Sequence, residues 1–397
     1  MKHALVWILL VLPQQDVAAR LKKEGWRAVA DLVEKGEDAR GALETAAAGG
    51  DSDASFYAMA ALAELDCRRD GAFPAVPRTR SLSGEAATVV AGLFQAAGLK
   101  TSLEGLPEKK LTIPDGLAFA ESIEAATREL NVEFVQTGNP IWRVGGVPGS
   151  GSRFASGRVR AVVDDVRYGT SLRPGLPARC MSWVQARMDG YGRFPKPPMY
   201  VDLRVLEAVD EHGRNLRPKR DWSDDYVQER DPKDQERNAR FHVLLEAPDL
   251  TSTKAARLRL ALDFGFRKKN EVITFDQVDG AVNVRKKIGD VEAILVRARK
   301  EDEDFHVELQ LKAPGLESRF SRDEDDFSGN LKIRLLDAAG KAWEEGGSSS
   351  GGSPKMDFKM RYRNPGTAGP PATLSFSLVT EVETRSVYFE FRDVPLQ

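Results

Sequence analysis

The chain has little of what most reactive sites are built from. It holds two cysteines in 397 residues, Cys67 and Cys180, which excludes a disulfide-dense scaffold and any cysteine-rich zinc or iron–sulfur centre. Both are read as buried thiols, the commoner state of an isolated cysteine in a core. Of four histidines, His3, His212, His242 and His306, none has a second at ligand spacing, so neither a zinc site nor a Ser-His-Asp triad finds support. No Gly-x-Gly-x-x-Gly, P-loop or nucleophile elbow occurs. The Gly-rich stretch 145–151 is followed by strand patterns rather than a helix, which reads as a linker. No catalytic, cofactor-binding or metal residue can be named from these elements. Charge of one sign is also not in excess, with 58 Lys plus Arg against 60 Asp plus Glu, which argues against a global field for nucleic acid or anionic membrane.

What is present is ordinary globular usage, 41% hydrophobic and 30% charged, in a chain long enough for several cores of about 100–150 residues each. Residues 1–13 place Lys2 and His3 before an apolar run from Ala4 to Pro13. That is the layout of a secretory signal peptide and too short to span a membrane, which needs about 20 apolar residues. Export to the periplasm, cell surface or medium is therefore expected, with no membrane span left after signal removal. A buried N-terminal helix is the alternative. The small residues at Val17-Ala18-Ala19 offer a cleavage site, but one that cuts into the first helical pattern.

The fold class expected is multidomain α+β. From 14 to 72 the pattern is helical: DVAARLKKEG, WRAVADLVEKG, DARGALETAAAGG and SFYAMAALAELDC each space apolar residues by three and four, punctuated by glycine. These Ala-rich α-hairpins resemble the HEAT-type repeat. Two hairpins are fewer than a free-standing solenoid needs, so the segment is expected to pack on the rest of the chain. A Pro-containing linker then leads to residues 78–147, with helices at 84–97 and 117–130 and strands near 99–103, 110–113, 132–136 and 141–145. On LFQAAGLKTSL and LTIPDGLAFAESIEAATRELNVEF, this αββαββ order is similar to the short N-terminal domain of secretins and TonB-dependent receptors. The resemblance implies a module that docks other proteins and is not catalytic.

After a linker at 148–153, nearly every segment alternates like a strand. Two related β-sandwich-like domains are expected, at 154–276 and 277–397. They are tied by a repeat: Leu258, Leu262, Phe275 and Val278 match Leu374, Leu378, Phe391 and Val394, each 116 positions later. Each copy reads as strand, polar turn, strand and a Phe-x-x-Val ending, so Phe275 and Phe391 should be buried at equivalent places. A second echo pairs VDEHGRN at 209–215 with LDAAGKA at 336–342. The charged stretch 215–238 reads as a long loop, and EEGGSSSGGSP at 344–354 as a flexible one. The tail Phe389-Glu390-Phe391-Arg392-Asp393-Val394-Pro395-Leu396 resembles that of uncharacterised secreted proteins of planctomycete-type bacteria, which implies no activity.

The remaining candidates each have a plain reading. Asp302-Glu303-Asp304 and Asp323-Glu324-Asp325-Asp326 could offer oxygens to calcium but match no known loop, and solvated turns are the simpler reading. Arg267-Lys268-Lys269, at the supposed hairpin turn, and Arg285-Lys286-Lys287 lack interleaved aromatics, which disfavours nucleic acid; edge-protecting charge explains the first. Trp183, Trp222 and Trp343 could line a carbohydrate or peptide groove, although single aromatics in β-domains usually pack in the core or along an edge. The expected function is a non-enzymatic exported protein that docks other proteins or serves as a cell-envelope scaffold. The alternative is a secreted hydrolase of surface polysaccharide or peptide, with carboxylates such as Asp164, Asp165, Asp224 or Asp225 as acid and base.

Overall fold

A computed structural model describes residues 14–69, 78–136, 141–145, 148, 151–156, 159–171, 179–189, 200–217, 226–228, 239–247, 251–313, 333–351 and 355–396. The proposed signal segment, Trp222, Asp224, Asp225 and the acidic run 323–326 lie outside these residues. The fold is mixed α+β; among the described residues the helices lie in the first part of the chain and antiparallel sheets follow. The chain forms two compact units: one of residues 1–197, 201–264 and 385–397, and one of residues 198–200 and 265–384.

The first unit begins with helices α1 (Gln14–Glu24), α2 (Trp26–Glu34), α3 (Arg40–Ala47) and α4 (Ser52–Arg69). Val17 and Leu21 of α1, and Ala28, Val29, Leu32 and Val33 of α2, recur on one face and are buried against Phe56, Tyr57, Ala61 and Leu65 of α4. Asp51 starts α4, its Oδ1 accepting the backbone N–H of Asp53 and Ala54 at 3.0 Å each. A cut at Val17-Ala18-Ala19 would remove the first turn of α1.

The next segment is βαββαββ, because a strand not expected from the sequence, β1 (Leu82–Glu85), precedes the first helix. The other elements are α5 (Ala86–Ala96), β2 (Lys100–Ser102), β3 (Lys110–Ile113), α6 (Phe119–Leu130), β4 (Phe134–Gln136) and β5 (Ile141–Val144). β1 pairs with β3 in one small sheet, and the order in the other is β2-β5-β4. Val90, Phe94, Phe119, Ile123 and Phe134 form the core between helices and strands, with Phe94 edge-on to Phe119 at 5.5 Å.

Among the described residues, two runs of seven strands follow in the same order. The first is β6 (Arg153–Ser156), β7 (Val159–Ser171), β8 (Arg179–Asp189), β9 (Tyr200–Asp210), β10 (Tyr226–Gln228), β11 (Ala239–Ala247) and β12 (Lys254–Asp276). The second is β13 (Val282–Ile288), β14 (Val291–Glu301), β15 (Asp304–Lys312), β16 (Arg334–Asp337), β17 (Glu344–Gly351), β18 (Lys355–Arg363) and β19 (Pro371–Pro395). Their five-stranded sheets have the orders β6-β7-β8-β11-β10 and β13-β14-β15-β18-β17, strand for strand the same. Even the irregularities correspond, since the register slips between Val163 and Asp165 in one and between Leu295 and Arg297 in the other.

A four-stranded sheet of order β16-β19-β12-β9 holds the fourth and seventh strand of each run. Here the expected hairpins at 257–275 and 373–394 are corrected: each is one uninterrupted strand, and Arg267-Lys268-Lys269 is exposed strand rather than turn. The units divide inside these strands, at 264/265 and 384/385, and not at 276/277 as the repeat suggested. Leu258, Leu262, Phe391 and Val394 are buried in the first unit, and Leu374, Leu378, Phe275 and Val278 in the second. Each copy of the repeat thus contributes its first half to one core and its second half to the other. Gln277 and Asp393, which precede the matching valines, both take the left-handed conformation (φ 55° and 52°). Two loop readings also change. The Gly/Ser-rich 344–351 is strand β17, held on the sheet edge by its ladder with β18, and the charged stretch 215–238 contains β10. Gly151 of the expected linker lies so close to β7 that a Cβ there would overlap the Val163 carbonyl.

Candidate functional site

Most residues singled out by sequence take structural places. Asp164 pairs with Arg187 (3.1 Å) and Asp165 with Arg167 (2.9 Å). His212 lies in a turn and gives its backbone N–H to Asp210. His306 stands 3.6 Å from Glu301, and burial among arginines pushes the His242 imidazole below its ordinary pKa. Asp302 turns the β14–β15 hairpin, while Asp304 faces Arg361 and Arg363. Among the described residues no group of three or more His, Cys, Asp or Glu is placed to hold a metal ion. Cys67 is fully buried. Trp343 is buried in the second unit, its N–H donating to the Gly369 carbonyl at 3.1 Å, and Trp183 is half-buried on β8. Arg285-Lys286-Lys287 lies on β13, an edge strand, where charge discourages further pairing.

Buried charge gathers elsewhere, in two networks of the first unit. Along β12 the side chains alternate: Leu258, Leu260 and Leu262 are buried on one face, and Arg257 and Arg259 point to the other. The same alternation in β19 sends Phe389 and Phe391 to the apolar face, where Phe389 meets Phe154 and Phe241, and Glu390 and Arg392 to the charged one. α4 covers that charged face. Arg259, 2% exposed, donates from Nε to Glu390 (2.9 Å) and from Nη1 to Asp53 of α4 (2.7 Å) and Glu207 of β9 (3.0 Å). Its guanidinium lies 4.4 Å from the ring centre of Phe56. Tyr57 donates its hydroxyl to Glu390 (3.2 Å), Arg392 donates to the other Glu390 oxygen (2.6 Å), and Arg257 bridges Asp53 and Glu207. Burial raises the Tyr57 hydroxyl, reinforced by the Glu390 charge. Three cations face three carboxylates, so the network is neutral as well as hydrogen-bonded, the condition for burying charge without a large penalty.

A second network joins the βαββαββ segment to the β6–β8 strands. Arg160, 1% exposed, bonds Glu133, Glu124 at 3.2 Å and the Phe134 carbonyl at 2.9 Å, and Arg153 bonds Glu133 at 2.6 Å. Burial would raise the Glu133 carboxyl, but the Arg160 and Arg153 charges outweigh it and hold the carboxyl below its ordinary value. Both networks fasten helical or α/β elements onto strands, and the helical segment, the βαββαββ segment and most of the first β run, up to Phe264 in β12, belong to one compact unit.

Beside the Arg259 network opens a cleft of about 460 Å³. Its walls are the end of α1 (Lys22, Lys23, Glu24), the corner Gly25-Trp26-Arg27, and Tyr57, Arg153, Glu390 and Arg392. Trp26 stands edge-on to Phe56, Tyr57 and Phe154, with centroids 5.8, 5.6 and 4.7 Å away. Its buried indole N–H has no acceptor. Lys22 is engaged with Asp51 at 2.6 Å, Arg153 with Glu133 and Arg392 with Glu390, whereas Lys23 and Arg27 are exposed and have no ion-pair partner among the described residues.

Sequence reasoning missed this site although its residues sit inside the repeat. The visible signal is that neither copy keeps the other's charges: the counterparts of Arg257 and Arg259 in the second copy are Thr373 and Ser375, and those of Glu390 and Arg392 in the first are Thr274 and Asp276. No protein-family model and no curated protein matches the chain. A solved structure, "The crystal structure of the conserved domain protein from Bacillus anthracis", is similar at 10% identity and a TM-score of 0.17, over 63% of this chain and 91% of that one. A likeness that weak carries no argument. Among the described residues no helix is long and apolar enough to cross a membrane.

Proposed function

We propose that this is an exported, non-enzymatic protein that works by docking other proteins, as a scaffold of the cell envelope. Its helical and α/β segments are HEAT-like and similar to the short N-terminal domain of secretins and TonB-dependent receptors. Its strand runs are two related β-sandwich-like domains. The observation that carries the reading is where the buried charge goes. Arg259, Glu390, Arg160 and Glu133, the groups whose burial would suit them to chemistry, are committed to holding one segment of the chain against another. The order Lys2, apolar run, polar helix start supports export. The two small sheets β1-β3 and β2-β5-β4 flanking two helices support the docking-module reading. The alternative, a secreted hydrolase, draws no comparable support, since Asp164 and Asp165 are each tied to an arginine.

The test is fractionation of cells making the full chain, followed by cross-linking in the envelope fraction. Recovery outside the cytosol in discrete cross-linked protein complexes is the expected result. A protein confined to the cytosol, or a purified chain that cleaves envelope polysaccharide or peptide with turnover, would overturn the proposal.

A further inference from the structure

We infer that the cleft at the α1–α2 corner is a recognition site for an acidic peptide segment, bound through its carboxylates. The inference rests on the docking reading and assigns its partner chemistry. Five cations line the cleft, Lys22, Lys23, Arg27, Arg153 and Arg392, against two carboxylates, Glu24 and Glu390. Three of them are paired, Lys22 with Asp51, Arg153 with Glu133 and Arg392 with Glu390. Lys23 and Arg27, both exposed, are left over, so the lining carries uncompensated positive charge. α2 brings no acidic residue in its first turn to offset them.

Uncompensated cations steer an anionic partner in and help set which partner is accepted. Glu390 is fixed beforehand through Arg259 to α4, which lessens the ordering needed on binding. Trp26 offers an apolar wall. The docking reading makes the partner a protein, whose own anions are Asp and Glu carboxylates, and these pair with arginine and lysine through charge-assisted hydrogen bonds.

The test uses the purified full chain and a fluorescein-labelled hexapeptide of alternating glutamate and alanine, with its glutamine counterpart as control, read by anisotropy. Binding of the glutamate peptide alone is expected, weakening about tenfold between 50 and 300 mM salt. The double variant Lys23→Glu/Arg27→Glu should bind at least about tenfold more weakly with an unchanged melting curve. Lys268→Glu/Arg285→Glu, which reverses two exposed charges of the second unit, should bind as the parent does. Equal binding of both peptides, or no effect of Lys23→Glu/Arg27→Glu, would overturn the inference. So would binding of an oligogalacturonate in place of the peptide, which would make the ligand a saccharide. Loss of peptide binding with envelope cross-links intact refutes this site and leaves the docking function standing; confinement to the cytosol refutes that function whatever the peptide does.

Discussion

Asp210 and Asp337 occupy the same place in two copies of one turn. Each carboxylate accepts the backbone N–H two and four residues on, from His212 (2.9 Å) and Arg214 (2.8 Å) in one copy and from Ala339 (2.9 Å) and Lys341 (2.8 Å) in the other. The backbone closes identically, with Gly213 and Gly340 at φ 76° and 79° donating to the aspartate carbonyl. Asp210→Ala and Asp337→Ala should each lower the unfolding midpoint, because part-buried N–H groups lose a charged acceptor. Hydrogen exchange should quicken over 208–216 in the first variant and over 335–343 in the second, and a variant that altered both stretches alike would contradict the local role.

Acid should act through the same residue. Burial would raise the Asp210 carboxyl, but the N–H of Arg214, the Ser252 hydroxyl, the Arg214 side chain and the N–H of His212 together bring it down to about 2. A carboxylate with a depressed native pKa stabilises the fold above its unfolded value, near 4, and that contribution is lost as pH falls from about 4 towards 2. Urea midpoints measured from pH 6 to 2.5 should fall more steeply for the parent than for Asp210→Asn. Parallel curves would show that the carboxylate does not contribute.

Arg259→Met should be among the most damaging single changes in the first unit, at about 3–5 kcal/mol, since it strands Glu390 and Asp53 without their shared cation. Lys254→Met, which breaks the exposed pair with Asp393, should cost less than about 1 kcal/mol. Urea unfolding measures both, and limited proteolysis of Arg259→Met should cut first within 14–69. Glu390→Gln in the Arg259→Met background should recover part of the loss, because an uncompensated charge is then removed.

Two glycines should respond in opposite directions to alanine. Gly92 lies within α5 with nothing within 4 Å of a Cβ, so Gly92→Ala should stabilise by about 0.5–1 kcal/mol. Gly151→Ala would drive a methyl into the Val163 carbonyl and should destabilise by more than that. Thermal melts that moved the same way for both would show that the close approach at Gly151 is relieved by a small backbone shift.

The sequence carried the strands well where one face is apolar: β15 alternates buried and half-buried from end to end. The repeat was legible because Leu258, Leu262, Phe275 and Val278 recur as identical residues. The continuity of β12 was not, because Arg267 to Asn270 are exposed in mid-strand, and a strand that leaves a core has the same polar signature as a turn. β17 has almost no intrinsic strand preference and exists by its ladder to β18. Arg259 and Glu390 escaped notice for a similar reason. Alternation assigns them to an outer face, and only the packing of α4, distant in sequence, turns that face inward.

The division inside β12 and β19 sets an order of assembly. Residues 385–397 belong to the unit that begins at the N-terminus, where Leu396 bonds Thr253 and Ser182 and Glu390 bonds Arg259. The unit whose synthesis starts first is therefore completed last. During synthesis that unit stays open until residues 385–397 have been made, whereas residues 265–384 can pack before it closes.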